Sequence, residues 1–242
     1  MQLCIDQGNS STKIGLFDKD HLVEHKAVAH FGEEEIEFLF NKYEITQTIL
    51  SSVTLRHDRI ISLLEQKSPF FIELTHLTPI PIKNEYATPE TLGKDRLAGV
   101  VGAAYLEPGK DILVIDAGSA ITYDFINRNG IYMGGNISPG LDIRFKALHD
   151  YTQKLPLEKA GETNLFLGNN TRTAIRSGVV YGIVFEIDGY ICELKKEYPE
   201  LSTFLTGGST FYFANKLKNA IFANRNLILI GLNRILQYNV QK

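Results

Sequence analysis

Two short acidic turns carry the clearest chemical potential in this chain. Asp6-Gln7-Gly8-Asn9-Ser10-Ser11-Thr12-Lys13 joins a carboxylate, a small-residue turn, hydroxyls and an ammonium in one short string. Asp116-Ala117-Gly118-Ser119 repeats the acid, the glycine and a hydroxyl. Backbone N–H groups in Gly/Ser turns can cradle phosphate oxygens. A carboxylate just ahead of such a turn can hold a hydrated Mg²⁺, which prefers oxygen ligands. A third glycine string, Thr206-Gly207-Gly208-Ser209, follows a late apolar run. Either turn alone is compatible with an ordinary hairpin, whereas the three together point to a split nucleotide site. Phosphoryl transfer needs this kind of electrostatic positioning more than covalent chemistry. A further string, Gly93-Lys94-Asp95-Arg96, pairs a carboxylate with a guanidinium. A carboxylate within hydrogen-bond reach can accept the proton of an attacking alcohol, and Arg offers a fork for a carboxylate or phosphate. The plainer reading of Asp95–Arg96 is a helix start, where an acid suits the dipole.

The elements that must position these groups follow from periodicity. Leu3–Ile14 and Leu113–Asp124 match at an offset of 110 residues, pairing Asp6 with Asp116, Gly8 with Gly118 and Thr12 with Thr122. Each copy reads as strand, Gly-containing turn and strand, so the chain is expected to be a duplication. Glu33–Tyr43 and Asp58–Gln66 have helical spacing, and Thr48–Val53 and Phe70–Leu74 read as strands. Pro79, Pro81 and Pro89 mark loop or extended chain. Asp95–Leu106 is helical, and Glu107-Pro108-Gly109-Lys110 is the expected domain boundary. In the second half, Ile112–Ile115 and Ile121–Ile126 form the hairpin and Ile131–Gly134 a third strand. Gly134–Gly140 reads as a chain reversal. Asp142–Asp150 and Thr171–Lys196 are helical. The latter is apolar over more than one face, with Gly178 and Gly182 suited to close backbone approach. Thr203–Thr206 is a strand, and Leu227–Ile230 an apolar run before a closing helix through Gln237. The fold class is α/β.

Composition removes other classes. Among 242 residues, 25 Lys+Arg against 28 Asp+Glu leave a formal charge of −3, so no bulk attraction to nucleic acid or anionic membranes is expected. Two cysteines, Cys4 and Cys192, cannot build a disulfide-dense scaffold or a four-thiolate zinc site. There is no Walker-type phosphate loop, Rossmann fingerprint, zinc-protease helix or nucleophile elbow. No apolar run is long enough to cross a membrane, and the N-terminus does not read as a signal peptide. A cytoplasmic protein is expected.

In order along the chain, these strings resemble the type III pantothenate kinases of the actin/Hsp70/sugar-kinase superfamily. The D-x-G-N-[ST]-x-x-K turn stands as Asp6, Gly8, Asn9, Ser10 and Lys13, and G-x-D-R as Gly93–Arg96. D-x-G-[TS]-A stands as Asp116–Ala120, and G-G-x-I-x-P-G as Gly134–Gly140. The resemblance implies duplicated ribonuclease-H-like (actin-like ATPase) domains, residues 1–108 and 109–242, about a central cleft. It implies ATP-dependent phosphorylation of pantothenate at its primary hydroxyl, giving 4′-phosphopantothenate, the first committed step toward coenzyme A. Carried over, Asp6, Gln7, Gly8, Asn9, Ser10, Ser11, Thr12 and Lys13 would bind the ATP phosphates and Mg²⁺, with Ser119 contacting ATP from the second hairpin. Asp95 would be the general base, with Gly93, Lys94 and Arg96 lining the substrate site. Tyr86 and Thr171 would contact pantothenate, Thr171 within one subunit or across to its partner. Asp116 would bind a monovalent cation, K⁺ or NH₄⁺. A homodimer with its active site near the subunit interface is implied. Ser10 and Ser119 stand where Thr is frequent, which keeps the hydroxyl and loses a methyl. Two alternatives share the turns: a kinase-like regulator without turnover, and a kinase for another hydroxylated small molecule. Retention of Asp6, Asp95, Arg96 and Asp116 argues against the first. The Gly93–Arg96 string and Tyr86 favour pantothenate over the second.

Overall fold

The computed structural model describes residues 1–53, 57–161 and 165–241. The chain divides into two compact units. The first holds Met1–Gly109, Ile126–Gly134 and Asn226–Lys242, and the second Lys110–Phe125 and Gly135–Arg225. Expectation placed the last of these segments of the first unit, Asn226–Lys242, with the second half. Its helix instead buries its apolar face in the first.

The first unit runs β1 (Gln2–Gln7), β2 (Thr12–Asp18), β3 (His21–Val28), α1 (Glu33–Lys42), β4 (Gln47–Ser52), α2 (Asp58–Lys67), β5 (Phe70–Glu73), β6 (Lys83–Asn84) and α3 (Lys94–Leu106). Its sheet has the order β3-β2-β1-β4-β5, antiparallel across β1–β2 and β2–β3 and parallel across β1–β4 and β4–β5. The period-2 alternation of a strand sorts β1 onto two cores. Leu3 and Ile5 pack with Ile36, Leu39, Ile61 and Leu64 of α1 and α2. Cys4 packs with Ala98 and Val101 of α3 and with Ile228, Leu232 and Ile235 of the last helix. β3 was not read from the sequence. It is an edge strand whose residues alternate between exposed and half-buried, so its apolar signal is diluted.

The second unit carries β7 (Ile112–Ala117), β8 (Ala120–Ile126), the later part of β9 (Ile131–Pro139), α4 (Leu141–Asp150), α5 (Thr171–Glu197), β10 (Ser202–Thr206), α6 (Thr210–Ala214) and β11 (Phe222–Ala223). The sheet order is β11-β10-β7-β8-β9-β6. Read from β9 to β11 it repeats the order of the first sheet, which is the structural form of the sequence duplication. Ile175, Val179, Ile183 and Ile187 of α5 pack on Leu113, Ile115 and Tyr123 of this sheet.

Two expectations are corrected. Gly134–Gly140 is not a reversal, because β9 runs extended through Pro139 and α4 then starts at Leu141. The strand lies so close to its neighbours that a Cβ on Gly135 would come 1.9 Å from the Tyr123 carbonyl oxygen. The glycines thus mark crowding, not bending. Leu227–Ile230 is the first turn of α7 (Leu227–Val240) itself, not a run before it.

Among the described glycines of the first unit, the closest backbone approach joins α3 and α7. A Cβ on Gly102 would sit 2.4 Å from the Leu227 carbonyl oxygen, and one on Gly231 1.7 Å from that of Ala98. Glycine ordinarily costs a helix stability relative to alanine, but here it lets two backbones meet. Gly231→Ala is therefore expected to lower the unfolding free energy by about 3 kcal/mol, the scale of overpacking a dense core. Denaturant unfolding checks this, and an alanine variant as stable as wild type would contradict it.

Candidate active site

The first acidic turn closes the β1–β2 hairpin. Asp6 lies opposite Lys13 and beside Ser51 of β4. The Asp6 carboxylate is buried, with Lys13 Nζ at 3.8 Å from Oδ2 and the Ser51 hydroxyl donating to Oδ1 at 3.5 Å. Gly8 N–H donates to the Ser11 carbonyl at 3.1 Å, which tightens the turn and leaves Asn9 and Ser10 exposed at its tip. Thr12 is buried. Gln7 accepts from the Ser52 hydroxyl at 3.1 Å.

The second group stands at the N-terminus of α3. Asp95 Oδ1 accepts the Arg96 backbone N–H at 2.8 Å, satisfying one of the orphan donors of a helix start. A Cβ on Gly93 would come 2.6 Å from that same oxygen, so glycine at this position lets the carboxylate fold back. Arg96 is 7% exposed. Its guanidinium lies over the Tyr86 ring, 5.6 Å from the centroid, and Nη2 donates to the Tyr132 hydroxyl at 3.2 Å. Tyr86 and Tyr132 stack, with centroids 6.0 Å apart. Sequence reasoning missed Tyr132. Its only signal was a tyrosine two residues ahead of Gly134. Lys94 lines a pocket with Gln7, Leu50, Ser52, His57, Ile60, Ile61 and Glu73, so the phosphate-type turn and the first turn of α3 share one pocket.

The remaining candidates lie in the second unit. Asp116 ends β7 beside Thr206 of β10, whose hydroxyl is buried with no hydrogen-bond partner among the described residues. Gly207 follows at φ +95°, and a Cβ there would meet Asp116 Oδ1 at 2.2 Å. Ser119 is exposed at the tip of the β7–β8 turn, and its carbonyl accepts Gly140 N–H at 3.0 Å. Thr171 is the exposed first residue of α5, just after Asn170. The Asn170 side chain accepts Thr173 N–H at 3.0 Å in a capping box.

A polar network that sequence reasoning also missed surrounds Glu186 of α5. Tyr123, Ser138 and Arg144 all donate to its carboxylate, and Arg144 Nε also donates to the Pro139 carbonyl at 2.7 Å. Burial would raise the Glu186 carboxyl, but the bonds from Ser138, Arg144 and Tyr123 outweigh it and hold it below its ordinary 4.5. Burial, and then the bond to Glu186, push the Tyr123 phenol far above its ordinary range.

Two hairpin sheets that share a five-strand order, the second extended by β6, with an acidic turn on each first hairpin, define the actin-like ATPase fold. A ROK hexokinase from Thermus thermophilus shares this fold at TM-score 0.52 and 12% identity, over 98% of this chain and 99% of that one. A solved Baf family protein from Campylobacter jejuni matches at TM-score 0.64 and 25% identity, covering 99% and 100%. The family model for type III pantothenate kinase matches residues 2–193. A type III pantothenate kinase of Phocaeicola vulgatus is 51% identical over 240 residues, 99% of each chain. The chain belongs to the type III pantothenate kinase family. It is an ATP-using kinase that phosphorylates pantothenate in coenzyme A biosynthesis. No helix among the described residues is long and apolar enough to cross a membrane.

A carboxyl held below its ordinary value stabilises the fold above its unfolded pKa and loses that contribution as pH falls through the folded one. The stability difference between wild type and Glu186→Gln is therefore expected to be largest near neutral pH, about 1–2 kcal/mol for charge-assisted hydrogen bonds. It should shrink below about pH 4. Urea unfolding across pH checks this, and a difference independent of pH would contradict it.

Proposed function

We propose that Asp95 is the general base of the pantothenate kinase reaction. In this reading its Oδ2 takes the proton of the pantothenate primary hydroxyl as the hydroxyl oxygen forms its bond to the γ-phosphorus. The bond from phosphorus to the β,γ-bridging oxygen breaks, and ADP leaves with that electron pair. A primary alcohol is a poor nucleophile at neutral pH, so a positioned carboxylate supplies what the substrate lacks. The supporting observation is the pocket lined by both Gln7 and Lys94, which joins the phosphate-type turn to the helix start that carries Asp95. Gly93, Lys94, Arg96 and Tyr86 line the substrate side, and Thr171 adds a contact.

Asp6–Lys13 hold the ATP phosphates, with Ser119 as a further ATP contact. Mg²⁺ fits this turn by donor chemistry. Asp6 is a hard oxygen donor near hydroxyls, and no cluster of three acidic, His or Cys residues among the described residues would cage a metal alone. The ion would rest on Asp6, water and phosphate oxygens, neutralising charge on the transferring group. For a monovalent cation, Asp116 and the Thr206 hydroxyl beside it, unpartnered among the described residues, are oxygen donors. A homodimer suits α5, where Gly178 and Gly182 face open space, Phe185 is half exposed and Phe166 packs edge-on against Tyr181 and Phe185. The enzyme works in the cytoplasm.

Asp95→Asn keeps an oxygen that can accept the Arg96 N–H and removes the base. Phosphopantothenate formation is expected to fall about a thousandfold, within the range for acid–base catalysts, with the thermal melt unchanged. Wild-type rates would remove Asp95 from this role. Light scattering of the purified protein is expected to give the mass of a dimer, and monomer at assay concentration would contradict the dimer.

A further inference from the structure

The guanidinium of Arg96 is deeply buried, so something must fix where it points. β6 pairs in parallel with β9, with Lys83 opposite Ile131 and Asn84 opposite Tyr132. The Glu85 N–H extends the ladder by donating to the Tyr132 carbonyl at 3.1 Å. Asn84 Oδ1 then accepts the Tyr86 N–H at 2.9 Å, which turns the Tyr86 ring onto the same side as Tyr132. Tyr132 itself is wholly buried. The phenol oxygen of this buried ring accepts from Arg96 Nη2, while the Tyr86 ring faces the guanidinium. A planar fork held at one nitrogen and against one face has little freedom to rotate.

We propose that Tyr132 is a positioning residue of this kinase. Its hydroxyl holds Arg96 in the orientation that receives pantothenate, and the β6–β9 pairing delivers both tyrosines to the arginine. This rests on Arg96 lining the substrate site, as proposed above. Tyr132 acts through Arg96 and touches no reacting atom. Its loss should weaken pantothenate binding and leave the ATP side alone.

The test is steady-state kinetics on the full-length enzyme with Tyr132→Phe, which keeps the ring, its burial and its stacking and removes only the hydroxyl. The KM for pantothenate is expected to rise about tenfold, the scale of a buried hydrogen bond to a charged group. The KM for ATP, kcat and the thermal melt should stay within about twofold or a degree or two of wild type. In an Arg96→Lys background, where the fork is gone, Tyr132→Phe should add nothing further. An unchanged pantothenate KM in Tyr132→Phe, with Arg96→Lys raising it, would overturn the positioning role. A rise in the ATP KM alone, or a fall in kcat with the pantothenate KM unchanged, would overturn it as well. A pantothenate KM unmoved by Arg96→Lys would instead overturn the underlying assignment of Arg96.

Discussion

The contact on which the first unit depends is backbone against backbone. At Gly102 and Gly231, α3 and α7 approach more closely than any side chain would allow. This sinks α3 so far that every residue from Arg96 to Ala103 is buried. Asp95 and Arg96 stand at the N-terminal end of that helix, so their placement is set by residues near the end of the chain. The side chains of Asn233 and Gln237 donate to the Lys19 carbonyl at 2.8 and 2.9 Å, anchoring α7 to the β2–β3 turn. One helix thus ties the start of α3 to the sheet whose first hairpin carries Asp6.

Repetition supplies the rest. Both sheets use the same strand order, and in both an aspartate closes the first strand, with a buried hydroxyl residue on the neighbouring parallel strand: Ser51 beside Asp6 and Thr206 beside Asp116. The copies then diverge. Asp6 faces a lysine across the hairpin, whereas Asp116 is crowded by Gly207, where a Cβ would come 2.2 Å from its Oδ1. In the proposed reading, the first hairpin takes the polyanion with its divalent cation and the second takes the monovalent cation. With a net charge of −3, anion binding must come from such local groups and not from a broad basic surface.

Much of this was legible in the sequence because it rests on short-range rules. The hairpins, α1, α2, α3 and α5 all follow from periodicity, and the acidic turns from residue type. Gly134–Gly140 misled because glycine signals both a turn and a close approach, and only the neighbouring Tyr123 carbonyl distinguishes them. Tyr132 and the Glu186 network were invisible because their partners lie 36 residues away for Arg96, and 63, 48 and 42 residues away for Tyr123, Ser138 and Arg144. The placement of α7 in the first unit has the same cause, since nothing local distinguishes which sheet an apolar helix will cover.

The most direct measurement is turnover of the purified protein with pantothenate, ATP and Mg²⁺, with product followed by mass spectrometry as potassium is varied. Formation of 4′-phosphopantothenate at a rate that rises with potassium is the expected result. Folded protein that yields no product at any potassium concentration would contradict it.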